Sequence, residues 1–556
     1  MKNVLLIAFL LQALLLWPGE NMAQTTGKFR VSFTDKNNSP FSLSNPQAFL
    51  SSRALARRSA QGIALNSQDL PVNPAYVQGV RATGATVINR SKWFNSVVAE
   101  VFTTAQYNAI SSLAFVDTLV YLAPSGSKGQ GVDKFAPEML PAKPVSGPRT
   151  KAAGVINYGM AENQALMIGL DYLHDLGFAG DGMIIAVIDA GFTGVNTALV
   201  FDSLWTHGRI LGTRDFAEVN GNIFGAHSHG TMVLSIMGGN LPGQLVGTAP
   251  RASYYLLRSE IGSSEYLVEE DNWVAAAEFA DSAGVDVINS SLGYTEYYEL
   301  SQSYTYEDMD GNTARVTRGA DLAAARGILV VNSAGNSGSG PWKYIGAPAD
   351  GDSVFSIGAV DAWGMYAGFS SQGPTYDGRI KPDVSAQGQG TAYGDPWGGL
   401  STGSGTSFSS PVMAGAAACL WQAHPGLSNT QLMQAMRQSA SQYANPDSLL
   451  GYGIPDMAAA SLILGTRPTV QSAEPFRLWT TPQGPDRMLL EMDGLESDVW
   501  VRITDMQGRQ MAPASRVKSD SGRAGIPVSM TSWARGIYLV HVTDGVQAAS
   551  LKLYRN

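Results

Sequence analysis

The sequence predicts an α/β protein whose main domain is a parallel sheet with helices on both faces, preceded by a small α+β domain and followed by a small β-sandwich. The short run at residues 183–188 is continuously apolar, and the runs at 285–289 and 328–332 repeat this theme, as in strands buried on both faces. Ala-rich stretches with helical spacing, at 273–283 and 319–326, precede the second and third runs. This alternation of strand and helix is typical of a helix-covered parallel sheet.

A smaller pattern of strands and helices precedes the main domain, which we place at residues 155–465. This smaller pattern predicts an α+β domain over residues 24–124. Residues 125–154 are rich in Gly, Pro, Lys and Ser, and we interpret them as an exposed linker that proteases can reach. The predicted strands and helices of the first domain lie at residues 29–33, 46–58, 97–102, 105–113 and 115–122.

The pattern changes to short strands after residue 465. Residues 466–475 are rich in Thr, Pro and Ser and are predicted to form a second linker. Gly or Asp separates the strands beyond it, which favours a small β-sandwich over residues 476–556. These strands are predicted at residues 487–492, 499–504, 526–530, 536–542 and 549–553.

Residues 1–23 have the composition of a signal peptide. Lys2 gives a positive start, residues 4–17 are apolar apart from one Gln, and Pro18 and Gly19 end the run. The run is shorter than the roughly 20 residues that a spanning helix needs. No later segment is long and apolar enough to cross a bilayer, so we expect an exported protein, secreted or at the cell surface, with no membrane span.

Charge and cysteine content narrow the possible partners. The 556 residues carry a net charge of −9 without a block of basic residues, which makes nucleic acids and anionic membranes poor partners. The single cysteine, Cys419, lies among alanines. It excludes a disulfide within the chain and is interpreted as a small buried hydrophobe.

Two polar residues of the main domain are candidates for proton-transfer chemistry. Asp189 ends the first apolar run, and parallel sheets place their sites at the carboxyl ends of strands; an Asp here could equally cap a helix. His229 precedes Gly230 and a small apolar run that predicts a buried helix. A histidine in this setting can also be purely structural, and His227 is its nearest competitor.

A serine and an asparagine complete the candidate set. Ser407 lies four residues before Pro411, and proline is tolerated in a first helical turn. This places Ser407 at a helix N-terminus, where free N–H groups and the helix dipole favour a developing oxyanion; it could also be an ordinary N-cap. Asn336 follows a buried strand and could donate its amide to such an oxyanion, or simply form a turn.

Together and in this order, these motifs resemble the subtilisin-like serine peptidases, the subtilases, over residues 158–464. Asp-Ala-Gly at 189–191, His-Gly-Thr-Met-Val at 229–233 and Gly-Thr-Ser-Phe-Ser-Ser-Pro at 405–411 match the three boxes of the family. The resemblance implies a secreted serine endopeptidase with a subtilisin-like fold, in which a peptide substrate acylates Ser407. His229 is then the general base, Asp189 orients it, and Asn336 and the Ser407 N–H stabilise the oxyanion.

The resemblance also implies where substrate binds. Ser291, Leu292 and Gly293 would pair with substrate backbone. The opposite wall of the pocket for the residue before the scissile bond would be formed by Ser333, Ala334 and Gly335. Because these walls are small and Ser337 follows Asn336, we expect an apolar or broad cleavage preference.

The flanking domains resemble two further modules. Residues 24–124 are similar to a subtilase propeptide, an inhibitor and intramolecular chaperone of its own enzyme, with Trp-Phe-Asn-Ser at 93–96 as its most distinctive stretch. Residues 476–556 resemble the C-terminal sorting domain of type IX secretion in Bacteroidetes. That resemblance implies recognition by the secretion machinery.

Three other interpretations remain open at this stage. Gly-Leu-Ser-Thr-Gly at 399–403 fits the nucleophile elbow of an α/β-hydrolase esterase, with Ser401 as nucleophile. A subtilase fold could also serve as a non-catalytic binding protein. The implied chemistry requires no cofactor or metal, although Asp-Met-Asp-Gly-Asn at 308–312 resembles part of a structural calcium loop and is more typical of an exposed turn.

Overall fold

The computed structural model of the chain describes residues 24–126, 131, 133–136, 156–465, 477–484, 486–493, 495, 498–505, 509–520, 522–543 and 548–555. The predicted signal peptide at 1–23, the linker at 466–475 and most of the linker at 125–154 lie outside these residues. The predicted fold class is confirmed, because a parallel seven-stranded sheet with helices stands between an α+β region and C-terminal β-sheets.

The N-terminal region is an antiparallel sheet in the order β2-β3-β1-β4 with helices packed on it. Its core is apolar and includes Phe29, Val31 and Val97. The sequence pattern did not predict β2 or α2. The elements are β1 Gly27–Phe33, α1 Ser52–Ala60, α2 Pro74–Ala82, β2 Thr86–Ser91, β3 Ser96–Val101, α3 Thr104–Ser111 and β4 Val116–Ala123.

The central region contains the large sheet. The strands of this region are β5 Ile184–Asp189, β6 Ile210–Asp215, β7 Asn240–Leu241, β8 Leu245–Val246, β9 Ser253–Arg258, β10 Val287–Ser290, β11 Leu329–Ser333, β12 Val354–Val360, β13 Val384–Gln387, β14 Gln389–Gly394 and β15 Leu400–Ser404. The large sheet has the order β13-β12-β11-β10-β5-β9-β6, with every pairing parallel. Pairs β7-β8 and β14-β15 are antiparallel hairpins.

Helices cover both faces of this sheet. They are α4 Glu162–Leu166, α5 Asp171–Asp175, α6 Asp202–Thr206, α7 His229–Gly238, α8 Val268–Ala283, α9 Arg315–Ala324, α10 Thr406–Ala423, α11 Asn429–Gln438 and α12 Met457–Ile463. Val187 of β5 packs in the core that contains α7 and α10, and its neighbour Ile188 packs in the core that contains α8 and α9. This two-sided burial explains the continuous apolar runs in the sequence.

Helix α8 is also the surface on which the N-terminal region docks. Asp281 accepts from Arg57 at 2.7 Å, from Arg58 at 2.9 Å and from Lys92 at 2.8 Å. Glu278 accepts from the backbone N–H groups of Lys92, at 2.6 Å, and Trp93, at 3.0 Å. The interface is therefore built largely from buried, charge-assisted hydrogen bonds.

The C-terminal region consists of two antiparallel sheets, in the orders β16-β17-β20 and β19-β18-β21-β22. Leu490 and Met492 of the first sheet share one apolar core with Val501 and Val540 of the second, as in a sandwich. The strands are β16 Arg477–Gly484, β17 Arg487–Asp493, β18 Val499–Asp505, β19 Gln510–Val517, β20 Arg523–Ser529, β21 Gly536–Thr543 and β22 Ala548–Arg555.

Among the residues that the structure describes, no helix combines the length and the apolar character needed to cross a bilayer.

Candidate active site

A buried carboxylate and an imidazole meet at the carboxyl end of the sheet. Asp189 is the last residue of β5, and His229 is the first residue of α7. The Nδ1 atom of His229 lies 2.8 Å from Oδ1 of Asp189, and both side chains are fully buried. Because a carboxylate oxygen can only accept, Nδ1 carries the proton of the neutral ring, and Nε2 has the acceptor lone pair.

The residues after His229 explain how this contact is fixed. A Cβ atom on Gly230 would lie 2.5 Å from the carbonyl oxygen of Gly191 and 2.9 Å from the Cβ of Asp189, so only glycine lets α7 approach the end of β5 this closely. The hydroxyl of Thr231 donates to the carbonyl of Thr193 at 2.7 Å. The His-Gly-Thr motif therefore ties the helix to the loop after Asp189.

The competing histidine has a different environment. The backbone N–H of His229 donates to Nδ1 of His227 at 3.0 Å, so the proton of a neutral His227 is on Nε2. That Nε2 lies 3.1 Å from both carboxylate oxygens of Asp133. His227 therefore braces the backbone of His229, and it is His229 whose ring contacts Asp189.

Ser407 is the second residue of α10, at the N-terminus that the sequence predicts. Pro411, however, lies in the second turn of the helix and not in the first. Since proline has no N–H, it cannot bond to the carbonyl of Ser407 four residues earlier. The hydroxyl of Ser291 donates to that carbonyl at 2.9 Å, and the Ser407 Oγ lies 3.4 Å from the carbonyl oxygen of Ser291.

The residue before Ser407 orients the side-chain amide of Asn336. Thr406 donates to Oδ1 of Asn336 through its backbone N–H at 2.8 Å and its hydroxyl at 3.0 Å. A backbone N–H can only donate, so the amide oxygen must face Thr406 and the amide NH₂ group must point away from it. Thr406 had no assigned role in the sequence analysis, although it lies inside the Gly-Thr-Ser motif.

A cavity of about 170 Å³ lies beside Ser407. Of the residues expected to bind substrate, it is lined by Ser291, Leu292, Gly293, Ser333 and Gly335, together with Asn336 and Ser407. Ala334 does not line this cavity; it is buried beside Ile345 and Ala349.

Asn332 connects the two walls of the cavity. Its side-chain amide donates to the carbonyl of Leu292 at 3.0 Å and to that of Ser333 at 2.8 Å. This residue is fully buried, and it fixes the spacing between residues 291–293 and 333–335. The only signal for this role in the sequence is a polar residue inside an apolar strand.

The segment predicted to be an exposed linker partly covers the site, so the expectation of exposure is wrong for residues 133–136. Phe135 is buried, and its ring stacks on His229 with the ring centroids 4.1 Å apart. Lys134 forms ion pairs with Glu260 at 2.7 Å and Glu265 at 2.8 Å. Apolar stacking and ion pairing hold this segment against the molecule.

Two alternative features of the sequence have ordinary structural roles. Ser401 lies within β15, paired with Tyr393 of β14, and not at the strand-to-helix elbow that an α/β-hydrolase needs, which contradicts the esterase interpretation. Asp308 accepts from the N–H and hydroxyl of Thr305. Asp310 accepts from the N–H groups of Asn312 and Thr313, as in a turn.

Comparisons with known proteins agree with this geometry. Residues 180–453 match the Subtilase family, peptidase S8, and residues 28–133 match the Peptidase S8 propeptide domain, Bacteroidota. Subtilisin E of Bacillus subtilis (strain 168) is 31% identical over 312 residues, which cover 55% of this chain and 71% of that protein. Subtilisin DY of Bacillus licheniformis is 31% identical over 300 residues, 53% of this chain and 96% of that protein.

Among solved structures, MycP1 from Mycobacterium smegmatis covers 58% of this chain and 88% of its own, at 20% identity and a TM-score of 0.43. The fold and the sequence relatives together define a serine-type endopeptidase. The chain belongs to the subtilase family, and it carries an N-terminal propeptide domain of the kind found in Bacteroidota.

Proposed function

We propose that this endopeptidase works through an acyl-enzyme on Ser407, with His229 as general base and Asp189 as the residue that orients it. The observation that carries the proposal is the 2.8 Å contact between His229 Nδ1 and Asp189 Oδ1. It leaves Nε2 to accept the proton of the nucleophile, and it stabilises the imidazolium that forms.

The reaction follows from these roles. Ser407 Oγ attacks the peptide carbonyl while His229 takes its proton, and His229 then returns the proton to the leaving amine. The backbone N–H of Ser407 and the amide of Asn336 stabilise the oxyanion. Water then attacks the acyl-enzyme while His229 takes its proton, and His229 returns this proton to Ser407 Oγ as the carboxylic acid product leaves. None of these steps requires a cofactor, and a structural calcium ion at residues 308–312 is the less favoured alternative to an exposed turn.

Substrate backbone would lie between residues 291–293 and 333–335. Both walls end at the cavity beside Ser407, and strand-like backbone pairing is a common mode of peptide recognition. The walls are small residues, which supports an apolar or broad preference for the side chain just before the scissile bond.

The N-terminal domain acts in this proposal as the inhibitor and folding chaperone of its own enzyme. Two observations support inhibition: Phe135 covers the imidazole of His229, and the domain docks on α8 through buried ion pairs. Cleavage between this domain and the main domain would expose the site.

Export is the last element of the proposal. Residues 1–23 would direct the chain to export, and residues 476–556 would serve as a type IX sorting domain recognised by the secretion machinery. The propeptide match to Bacteroidota supports this placement. N-terminal sequencing and intact mass of the secreted product test it, because a retained residue 1 or a wholly intracellular product contradicts it.

A fluorophosphonate probe tests the catalytic assignment. The processed enzyme should be labelled on Ser407, as located by peptide mapping, and should hydrolyse casein. Ser407→Ala should lose both properties, whereas the matched Ser401→Ala variant should keep them. Label on Ser401, or a folded wild-type protein with neither label nor caseinolysis, would refute the assignment, and the second result would favour a non-catalytic binding role.

A further inference from the structure

Three glutamates converge on a single lysine next to the active site. Lys134 Nζ lies 2.7 Å from Glu260, 2.8 Å from Glu265 and 3.1 Å from Glu269. Glu260 and Glu269 are almost completely buried, and Glu265 is one-fifth exposed. We call these three glutamates the acidic pocket. None of the three glutamates is among the residues proposed to carry out peptide-bond hydrolysis.

The acidic pocket contains more carboxyl groups than one ammonium needs as ion-pair partners. One ammonium faces three carboxylates whose oxygens all lie within 4.8 Å of one another. Burial raises the pKa of Glu265 to about 7 although Lys134 opposes the rise. If maturation cuts the linker after residue 134, Lys134 leaves with the propeptide. These carboxyl groups, whose ionisation burial opposes, then lose their cation while they remain held by the enzyme.

The enzyme itself holds the pocket in shape. The hydroxyl of Tyr294 donates to Glu260. The N–H of Ile261 donates to Glu269 at 3.0 Å, and Glu269 lies in the first turn of α8, where the helix dipole favours a carboxylate. These contacts come from the main domain, so they do not depend on the propeptide.

Lys134 enters the pocket from a segment, residues 133–136, that lies alongside the substrate cavity. Gly131 donates its N–H to the carbonyl of Ser263 at 3.1 Å, and Lys134 donates its own to Gly262 at 2.9 Å. The next residue, Phe135, stacks on His229. Both Glu260 and Ser407 line the cavity of about 170 Å³, so the pocket and the nucleophile share one continuous space.

We propose that the acidic pocket is a substrate subsite for a lysine side chain, which Lys134 occupies in place of substrate before maturation. The subsite rests on the proposed function and adds a specificity to it. An ammonium has three N–H donors in three directions, one for each glutamate, whereas the donors of a guanidinium lie in one plane. The pocket therefore selects lysine over arginine.

Matched peptide substrates test the proposal on the processed wild-type enzyme. Internally quenched peptides carry Lys, Arg or norleucine at one position at a time in an otherwise constant sequence. At one position, kcat/KM for Lys should exceed that for norleucine at least about tenfold, as for a close buried charge pair, and should also exceed that for Arg. Equal rates for Lys and norleucine at every position would overturn the subsite.

Variants assign the preference to the pocket. In the Glu260→Gln, Glu269→Gln double variant, the Lys-to-norleucine ratio should fall to within about twofold of one, after correction for active sites titrated with the fluorophosphonate. Glu307→Gln removes an exposed charge and should keep the ratio. A ratio unchanged in the double variant would place the preference elsewhere and overturn the proposal.

Two further outcomes separate the alternatives. One alternative is a metal site. It is supported, and the proposal is overturned, if added Ca²⁺ raises the Tm of the processed wild-type enzyme but not of the double variant and if the wild-type enzyme shows no lysine preference. If the wild-type enzyme cleaves no peptide at all, the proposed function fails, and the subsite fails with it. Cleavage without any preference refutes only the subsite.

Discussion

At the scale of single residues, the amide of Asn336 is oriented by the residue that precedes the nucleophile. Thr406 fixes the amide oxygen with two hydrogen bonds, which ties the proposed oxyanion donor to the residue next to Ser407. This contact helps to keep the proposed nucleophile, Ser407, and the proposed oxyanion donor, Asn336, in a constant relative position. Stabilisation of an oxyanion requires donors that are fixed in place before the reaction.

Removing the two groups should therefore have unequal effects. Asn336→Ala removes one oxyanion donor, and we expect kcat to fall by roughly 10²–10³. Ser407→Ala removes the nucleophile itself and should leave almost no turnover. Steady-state kinetics on one peptide substrate measure both effects. Equal losses in the two variants would contradict the assigned roles.

The residues that the sequence could predict are those with local motifs. A glycine follows Asp189 and His229 within two residues, and Ser407 lies two residues after Gly405, so the three positions can be read from local motifs. Lys134 could not be placed in this way, since its partners Glu260 and Glu269 lie 126 and 135 residues away. The contacts between Lys134 and these glutamates form only when the chain folds.

At the scale of elements, α8 combines two tasks along its 16 residues. Its first turn carries Glu269 of the acidic pocket, and its last turns carry Glu278 and Asp281, which hold the propeptide. Burial opposes ionisation of Asp281, but Lys92, Arg58 and Arg57 together lower its pKa to about 2. The carboxylate is thus charged throughout the physiological range and anchors the propeptide.

Neutralising that anchor should weaken inhibition. In Asp281→Asn, three cationic partners lose their charged acceptor, which costs about 2 kcal/mol or more and corresponds to a roughly 30-fold higher Ki. The measurement is the inhibition of processed enzyme by added residues 24–136. Glu296→Gln, an exposed change on the same domain, is the control. An unchanged Ki would show that Asp281 does not hold the propeptide.

The elements that sequence patterns missed have physical reasons. Strand β2 carries Asn89 and Ser91, which are buried because they bond to Asn272 and Glu278 of α8, and polar residues in buried positions hide the alternation of a strand. Strands β16 and β19 contain Pro482 and Pro513. Both are edge strands, the place in a sheet where proline is tolerated.

At the scale of the whole molecule, the C-terminal domain contacts the main domain through a charged and an aromatic pair. Arg502 donates to Asp175 at 2.5 Å, and the ring of His541 meets Tyr172 edge to face with centroids 6.2 Å apart. Burial, together with the nearby Arg502, lowers the pKa of His541 from 6.5 to about 3. The folded protein therefore keeps this ring neutral.

This buried histidine should make the C-terminal domain sensitive to acid. Between pH 6.5 and 3 the unfolded chain binds a proton that the folded chain does not. The free energy of unfolding therefore decreases as the pH is lowered, by about 2 kcal/mol from pH 7 to pH 5. Urea unfolding of the Ser407→Ala chain measures it. His541→Gln should reduce this loss, and the exposed His207→Gln should not. The same pH dependence in both would reject the assignment.

Pro411 has a consequence for how the active site withstands motion. Since the carbonyl of Ser407 bonds to Ser291 across the cavity rather than to its own helix, the nucleophile is attached to the strand end that receives substrate. Ser407 is thus held both by α10 and by the residue that follows β10, so a shift of either element strains a hydrogen bond at the proposed nucleophile.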